Sequence, residues 1–117
     1  GEGSITAPGS SRKIITVGSS DLLVKNRGIS GRGPTNDCII KPDVVAPGNA
    51  VISCANRNDN MPYTIKSGTS MSTPVVSGAI ALLLEREPWL TNFEIKKRLR
   101  RTAKDLGYPH NLQVGTV

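Results

Sequence analysis

The residues with the clearest capacity for chemistry form a short polar cluster directly before an apolar segment. Residues 67–70 read Ser-Gly-Thr-Ser, and the chain continues into a largely apolar stretch that ends near Glu85. Gly68 permits a tight turn because it has no Cβ to clash with the backbone. Ser70 would then lie in the first turn of a helix, where unpaired N–H groups and the helix dipole favour negative charge. This pattern indicates a nucleophile for acyl transfer, with the Ser70 N–H as one oxyanion donor.

Helix capping is a purely structural interpretation of the same residues. Ser and Thr are preferred at N-caps, so Ser70 and Thr73 would only begin the helix. We predict a helix from Ser70 or Thr73 to Glu85, with Pro74 in its first turn. Its residues are apolar on nearly every side, which predicts burial on all sides. Gly78 in the middle costs about 1 kcal/mol relative to Ala, and we expect another element to approach closely there.

A serine hydroxyl is a weak nucleophile without a base, and the chain has one histidine, His110. The chain order of Ser70, Asp105 and His110 is the same as that of the catalytic triad in an α/β-hydrolase. That fold requires Gly-x-Ser-x-Gly, however, and Ser72 occupies the last position. His110 also lies in a segment typical of a surface loop, so we do not expect it to activate Ser70.

Short β-branched runs predict the strands that position this cluster. Residues 13–18 and 43–48 have the composition of buried strands, and residues 51–54 and 63–66 are typical of a hairpin around a polar loop. Short strands followed by a buried helix and an outer one indicate an α/β architecture with a partly parallel sheet.

The outer helix is amphipathic and has a clear start signal. Thr91 is the predicted N-cap, and Glu94 three residues later completes a capping box. Gly107 is the predicted end of the helix. The apolar stripe that would pack on the sheet consists of Ile95, Leu99, Ala103 and Leu106.

Composition limits the remaining function classes. A length of 117 residues suits one domain. Cys38 and Cys54 are too few for a disulfide scaffold, and we expect both to be small buried residues, their redox state left open. No cluster of Asp ligands appears, so we expect no metal and no cofactor. Residues 79–84 are the longest apolar run, too short to span a bilayer, and we expect no signal peptide. We therefore expect no membrane partner, and a secreted or cytoplasmic location stays open.

The net charge of +6 is concentrated in one segment. Residues 96–104 contain the basic side chains Lys96, Lys97, Arg98, Arg100, Arg101 and Lys104. Such a cluster indicates either a nucleic-acid footprint or the solvated face of a helix that packs by its other side. No recognition motif accompanies the charge, and the 3% aromatic content offers no platform for stacking bases. We predict the solvated face and do not expect a nucleic-acid partner.

Four motifs resemble those of the subtilisin-like serine proteases. Residues 68–74, Gly-Thr-Ser-Met-Ser-Thr-Pro, resemble the nucleophile box of that family. Residues 41–48 are similar to its Lys-Pro-Asp-x-x-Ala-Pro-Gly stretch, residues 30–35 to its Ser-x-Arg-Gly-Pro segment, and residues 8–18 to the segment leading into a strand. The motifs follow the family's order and cover nearly the whole chain. The resemblance implies the C-terminal portion of a subtilisin-like fold and, in the parent protein, a serine endopeptidase.

The resemblance also implies roles for individual residues. Ser70 matches the nucleophile, and its N–H matches one oxyanion donor. Thr69 matches the neighbouring position, whose hydroxyl supports the oxyanion. Thr6 and Ser67 match positions near the substrate cleft. Asp43 corresponds to a structural acid of the family and not to the acid of the catalytic triad.

The family order Asp, His, Ser implies that several catalytic groups precede this region. Residues 1–117 are then the C-terminal part of a peptidase domain, with the Asp and His boxes and the oxyanion asparagine upstream of Gly1. Val75 stands where the family often has His, which we interpret as a packing change. Ser70 would keep its location but lose its activator, so we expect the isolated chain to be inactive.

The resemblance implies peptide substrates and the missing N-terminal half of the domain as partners. Without that half, open sheet edges and apolar helix surface would be exposed, so we expect the isolated chain to self-associate. Two other classes stay open: a protease fold kept as a non-catalytic binding module, and a basic nucleic-acid-binding domain.

Overall fold

The computed structural model describes residues 5–20, 41–56, 60–105 and 115–116, and the structural statements below concern these residues. Their elements, in chain order, are β1 (Val17–Ser20), β2 (Val44–Pro47), β3 (Val51–Cys54), β4 (Tyr63–Lys66), α1 (Thr69–Arg86), α2 (Asn92–Thr102), β5 (Lys104–Asp105) and β6 (Gly115–Thr116).

The main sheet is mixed, with the strand order β1-β2-β6-β5. β1 and β2 pair in parallel from Val17↔Val44 to Ser20↔Pro47, and β2 also pairs in parallel with β6. β5 and β6 are antiparallel. β3 and β4 form a separate antiparallel hairpin with Ile52 opposite Ile65. The predicted α/β fold with a partly parallel sheet and a hairpin at 51–54 and 63–66 is therefore confirmed.

β1 lies further along the chain than residues 13–18, where the β-branched run predicted it. The ladder begins at Val17. The preceding residue, Thr16, lies outside the strand pairing, and its carbonyl accepts a hydrogen bond of 2.8 Å from the Asp43 N–H. The ladder then continues past Gly18 through Ser19 and Ser20, which are buried. Pairing with the central strand β2 extends the element beyond the point where local propensity would end it.

The hydrophobic core lies between the sheet and the two helices. β2 contributes Val44 and Ala46, α1 contributes Val76, and α2 contributes Ile95 and Leu99. Partly buried side chains pack around this cluster, namely Ile15, Val17, Ile80, Leu83, Leu84 and Leu90. Both helices thereby pack against β2.

α1 begins at Thr69, one residue before the earlier of its two predicted starts, and much of its apolar surface is exposed. Only Ser72 and Val76 are buried, whereas Leu82 is 70% exposed and Val75 is 40% exposed. No described atom lies within 4 Å of the position that a Cβ at Gly78 would occupy. The expectations of burial on all sides and of a close neighbour at Gly78 are therefore wrong for the described part of the chain, because α1 packs there against β1 and β2 on one side.

α2 has the predicted capping box but ends earlier than predicted. The Thr91 side chain accepts from the Glu94 N–H, and the Glu94 carboxylate accepts from the Thr91 N–H. Ala103 adopts an extended conformation, so the helix stops at Thr102. The following residues form β5, because pairing with β6 replaces another helical turn. Leu106 and Gly107, predicted for the end of this helix, lie outside the described residues.

Replacing Thr91 with alanine is expected to lower the free energy of unfolding by about 1 kcal/mol, because the Glu94 N–H loses its acceptor. The Thr91 Oγ1 atom lies 3.2 Å from that nitrogen. Glu94→Gln keeps an acceptor for the Thr91 N–H and should cost less. Urea unfolding of both variants measures the difference. An equal loss in both would contradict a stabilising role for the threonine cap.

Cys54 is a free thiol exposed on the hairpin, so its predicted burial is wrong. It pairs with Tyr63 across the hairpin, on the same face as Ile52 and Ile65. All three of these neighbours are more than 60% exposed, so this face of the hairpin meets no described element. Cys38 lies outside the described residues. Among the described helices, none is both long enough and apolar enough to cross a bilayer.

Candidate active site

A sharp turn at Gly68 connects the hairpin to α1. Gly68 is the N-cap of the helix, with φ 130° and ψ 169°, a conformation that side chains with a Cβ rarely adopt. Its N–H donates to the Gly48 carbonyl at 2.7 Å, and its own carbonyl accepts from the Met71 N–H at 3.0 Å. The turn is thus anchored to the end of β2 on one side and to the helix on the other.

Ser70 is an exposed residue in the first turn of α1. No side chain caps this helix, and no hydrogen bond joins the Ser70 hydroxyl to another described residue. The Thr73 hydroxyl instead donates back to the Thr69 carbonyl at 3.0 Å. The capping interpretation of Ser70 and Thr73 is therefore wrong, since the N-cap is a glycine.

The helix N-terminus beside Ser70 is open to an anion. The N–H groups of Thr69 and Ser70 find no acceptor among the described residues, as expected for the first turn of a helix. Such N–H groups and the helix dipole together favour negative charge at this point. The exposed hydroxyl of Ser70 therefore lies beside donors suited to an oxyanion.

Pro74 lies one turn deeper in α1 than predicted, because the helix begins at Thr69. At this position proline lacks the N–H that would donate to the Ser70 carbonyl in a regular helix. The helix therefore lacks the backbone hydrogen bond that the Ser70 carbonyl would otherwise accept. The prediction that Pro74 lies in the first turn is therefore wrong, because the helix begins before both predicted starts, Ser70 and Thr73.

Close packing behind the turn depends on Gly48. A Cβ at this position would overlap the hydroxyl oxygens of Ser19 and Ser72 and would lie 2.8 Å from the Gly68 carbonyl. Gly48, at the end of β2, thus allows β1, β2 and the nucleophile turn to meet. Sequence reasoning identified Gly48 only as part of a motif; the Pro-Gly stop after a buried strand was the one signal for a close approach.

Ser72 is fully buried, and its hydroxyl has no hydrogen-bond partner among the described residues. An unsatisfied buried hydroxyl costs about 1–3 kcal/mol. We therefore expect Ser72→Ala to raise the free energy of unfolding by about 1 kcal/mol. Chemical denaturation measures the change, with the exposed α1 residue Ser77→Ala as control. A loss of stability specific to Ser72→Ala would show that this hydroxyl is satisfied in solution.

The structure brings three of the four predicted site residues together at the start of α1. The Ser67 hydroxyl accepts from the Ala50 N–H at 2.9 Å and donates to Asn49 Oδ1 at 3.1 Å, so it braces the turn. Thr69 and Ser70 follow it directly. Thr6 lies in a turn with its carbonyl accepting from the Ser10 N–H, and no described hydrogen bond joins it to the other three.

Asp43, identified with a structural acid, is the centre of a buried charge network. Its Oδ2 accepts from the Thr16 N–H at 2.8 Å and from Lys41 Nζ at 2.7 Å. Lys96 Nζ lies 3.6 Å from Oδ1 and donates to the Arg12 carbonyl at 2.7 Å. Burial lowers the pKa of Lys96, and the Asp43 carboxylate opposes this effect. The network ties α2 to the residues before β1.

A small depression lies between the hairpin and α1, next to the residue that follows Ser70. It has a volume of about 170 Å³ and is lined by Val51, Ser53, Cys54, Thr64, Lys66 and Met71. Its lining is mixed in polarity and contains one cation, Lys66. An extended chain passing Ser70 would find this surface beside it.

His110, the one histidine, lies outside the described residues, so its relation to Ser70 stays a prediction. Within the described ranges, no group of three His, Cys, Asp or Glu residues is arranged to hold a metal ion.

Comparison with known proteins places these features in a family. The subtilase family model matches residues 1–114. Serine protease AprX of Bacillus subtilis is 38% identical over 116 residues, covering 82% of this chain and 26% of AprX. The minor extracellular protease Vpr of the same species is 38% identical over 94 residues, covering 72% of this chain and 12% of Vpr.

Solved structures agree with this placement. The CspB protease of Clostridium perfringens superposes with a TM-score of 0.83 at 34% identity, covering 99% of this chain and 27% of CspB. Sphericase superposes with a TM-score of 0.71 at 31% identity, covering 89% of this chain and 36% of sphericase. The chain thus spans about a quarter of AprX and of CspB. With a family match over nearly its whole length and a subtilisin-type fold, the chain belongs to the subtilase family.

Proposed function

We propose that this chain carries the nucleophile of a serine endopeptidase. Ser70 Oγ attacks the carbonyl carbon of a peptide bond while a base takes its proton. The tetrahedral intermediate collapses with loss of the amine, which takes up that proton, and water then hydrolyses the acyl-enzyme ester. The observation that carries the proposal is the exposed, uncapped Ser70 hydroxyl beside unpaired N–H groups at a helix N-terminus. The Ser70 N–H, supported by the Thr69 hydroxyl, is the oxyanion donor.

The catalytic base, the acid and the oxyanion asparagine are supplied by polypeptide other than this chain. In support, the chain spans about a quarter of the length of AprX. The exposed apolar side chains of α1 and of the hairpin, with Leu82 at 70% and Ile52 at 68%, are the surface such a segment would cover. Alone, this surface favours self-association.

Peptide substrates are proposed to pass the start of α1. Ser67 and Thr6 would line the cleft, and the depression that contains Lys66 and Met71 would lie beside the scissile bond. An acidic substrate side chain would find Lys66 there as a partner.

A fluorophosphonate probe, which labels activated serines, tests the proposal. We expect labelling of the full-length protein that carries this chain, loss of labelling in Ser70→Ala, and unchanged labelling in Ser77→Ala. Hydrolysis of casein should follow the same pattern. The isolated 117-residue chain should show neither labelling nor hydrolysis, and light scattering should detect species larger than a monomer.

A different experimental result would contradict each part of the proposal. Absence of labelling in a folded full-length protein would favour a non-catalytic binding module. Labelling of the isolated chain at Ser70 would contradict an external base. A clean monomer at high concentration would contradict exposed association surfaces.

A further inference from the structure

The outward face of α2 combines three cations with an exposed aromatic ring. Lys97 follows Phe93 by four residues, and Arg100 and Arg101 follow Lys97 by three and four, which places all four residues on one side of the helix. Ile95 and Leu99 occupy the opposite side and are buried in the core. Phe93 is 59% exposed, although a phenyl ring on a helix usually finds cover. We call these four residues the α2 outer face.

The three cations of the α2 outer face have no counter-ion among the described residues. The neighbouring charges, in contrast, are engaged. Arg98 makes two hydrogen bonds to Glu87, at 2.6 and 3.2 Å, which raise the pKa of Arg98 and lower that of Glu87. Glu94 is held in the capping box. The local carboxylates are therefore committed elsewhere, and the outer face keeps its positive charge.

Together with Lys96, these side chains line a shallow concavity of about 540 Å³. Because Lys96 donates to the Arg12 carbonyl and contacts Asp43, its ammonium is already used. The concavity is thus lined mainly by apolar surface, from the Phe93 ring and the methylene stems of side chains that end in cations.

We propose that the α2 outer face binds an acidic peptide segment in which an apolar side chain lies between carboxylates. Arginine and lysine form charge-assisted hydrogen bonds with carboxylates, and the planar guanidinium can do so with two parallel bonds. The apolar side chain of the segment would cover Phe93. A concave site suits an inserted side chain better than a planar bilayer, and a single ring in the site gives no series of stacking surfaces for bases. An acidic protein segment is thus the occupant that these residues favour.

A fluorescence anisotropy experiment tests this proposal. The probe is a fluorescein-labelled peptide of sequence Asp-Glu-Asp-Leu-Asp-Glu, and the full-length protein carries Ser70→Ala so that the probe is not cleaved. We expect saturable binding that weakens as salt is raised. Replacing Lys97, Arg100 and Arg101 with glutamine should weaken binding at least tenfold, and Phe93→Ala should weaken it severalfold. Arg86→Gln removes an exposed cation in the last turn of α1 and should leave binding unchanged. Circular dichroism checks that each variant is folded.

Control probes separate the proposed occupant from others. The neutral peptide Asn-Gln-Asn-Leu-Asn-Gln should not bind. An acidic probe with serine in place of its leucine should bind the unchanged protein as weakly as the original probe binds Phe93→Ala. Equal binding by the folded triple variant would overturn the proposal. Tighter binding of a duplex oligonucleotide, or of vesicles containing phosphatidylserine, than of the acidic peptide would overturn it in favour of that other polyanion.

Discussion

Replacing Gly48 with alanine is expected to destabilise the chain by about 3 kcal/mol. The added Cβ would overlap the hydroxyl oxygens of Ser19 and Ser72 and would lie 2.8 Å from the Gly68 carbonyl. None of these neighbours can move freely. Ser19 and Ser72 are buried in β1 and α1, and the Gly68 N–H is bonded to Gly48 itself at 2.7 Å. Relief therefore requires a shift of backbone in a closely packed region.

Gly78→Ala is the matched control for this prediction. It makes the same chemical change in a helix interior where no described atom lies within 4 Å of the new Cβ. Because alanine favours the helix over glycine, we expect a gain of about 1 kcal/mol. Urea unfolding of both variants gives the comparison. If Gly48→Ala unfolded within about 0.5 kcal/mol of the parent, the close packing behind the nucleophile turn would be contradicted.

A second variant tests where the strain in Gly48→Ala arises. Ser72→Ala removes one of the two overlapping hydroxyls, so Gly48→Ala with Ser72→Ala should recover part of the lost stability. The contact with the Gly68 carbonyl remains, so recovery should be incomplete. Since Gly68 sets the start of α1, Gly48→Ala should also reduce probe labelling of Ser70 in any fraction of the protein that still folds.

Features with local causes could be predicted from the sequence. The capping box at Thr91 and Glu94 depends on residues three apart, and both of its hydrogen bonds form as expected. The hairpin strands Val51–Cys54 and Tyr63–Lys66 match the predicted ranges, because turn residues between two β-branched runs specify them locally. The earlier of the two predicted starts of α1, Ser70, lies one residue after the observed Thr69, because the glycine before the helix is visible in the sequence, whereas the later one, Thr73, is wrong by four residues.

Features that depend on residues far apart in the chain could not be predicted from the sequence. β1 extends through Ser19 and Ser20 because β2 pairs with it, and β5 and β6 form through a pairing that no local pattern indicates. The exposure of Cys54 depends on which face of the hairpin has a neighbour. The close packing at Gly48 also has a distant cause. The sequence shows a glycine after a proline, but only the fold brings Ser72 against it.

For the candidate site, the sequence identified the nucleophile turn but not its support. The glycine, the hydroxyl and the apolar helix at 67–85 are contiguous, so their arrangement could be inferred directly. The Ser67 hydroxyl accepts a hydrogen bond from the Ala50 N–H, and no local pattern links these two residues, which are far apart in the sequence. The absence of a Ser70 cap also required the structure, since Ser and Thr at a helix start are ordinarily interpreted as caps.

Replacing Asp43 with asparagine is expected to cost about 3–5 kcal/mol, because it leaves buried cations without their counter-ion. Asp43 is 4% exposed, and the side chain of its main partner Lys41 is 1% exposed. Lys41 Nζ also donates to the Ile14 carbonyl at 2.7 Å, so it cannot easily turn to solvent. Asparagine preserves the shape and one acceptor oxygen but removes the charge.

Glu87→Gln provides the surface counterpart. It breaks the ion pair with Arg98, whose side chain is 32% exposed, and water can solvate the freed guanidinium. Exposed pairs contribute little to stability, so the loss should be much smaller than for Asp43→Asn. Urea unfolding of the two variants at neutral pH measures the contrast. Equal losses would contradict the view that burial makes the Asp43 network important.

The pH dependence of Asp43→Asn separates loss of charge pairing from loss of shape. Burial already lowers the pKa of Lys96 from 10.5, and the Asp43 carboxylate opposes this effect. Without the carboxylate the pKa of Lys96 should fall further in the folded state. Between that lowered pKa and the ordinary one the unfolded chain binds more protons, so stability rises with pH. The deficit of Asp43→Asn should therefore shrink on the alkaline side of neutrality, and adding Lys96→Met should reduce this recovery. A deficit that stays constant with pH would show that asparagine fails through its hydrogen bonds and not through unpaired buried charge.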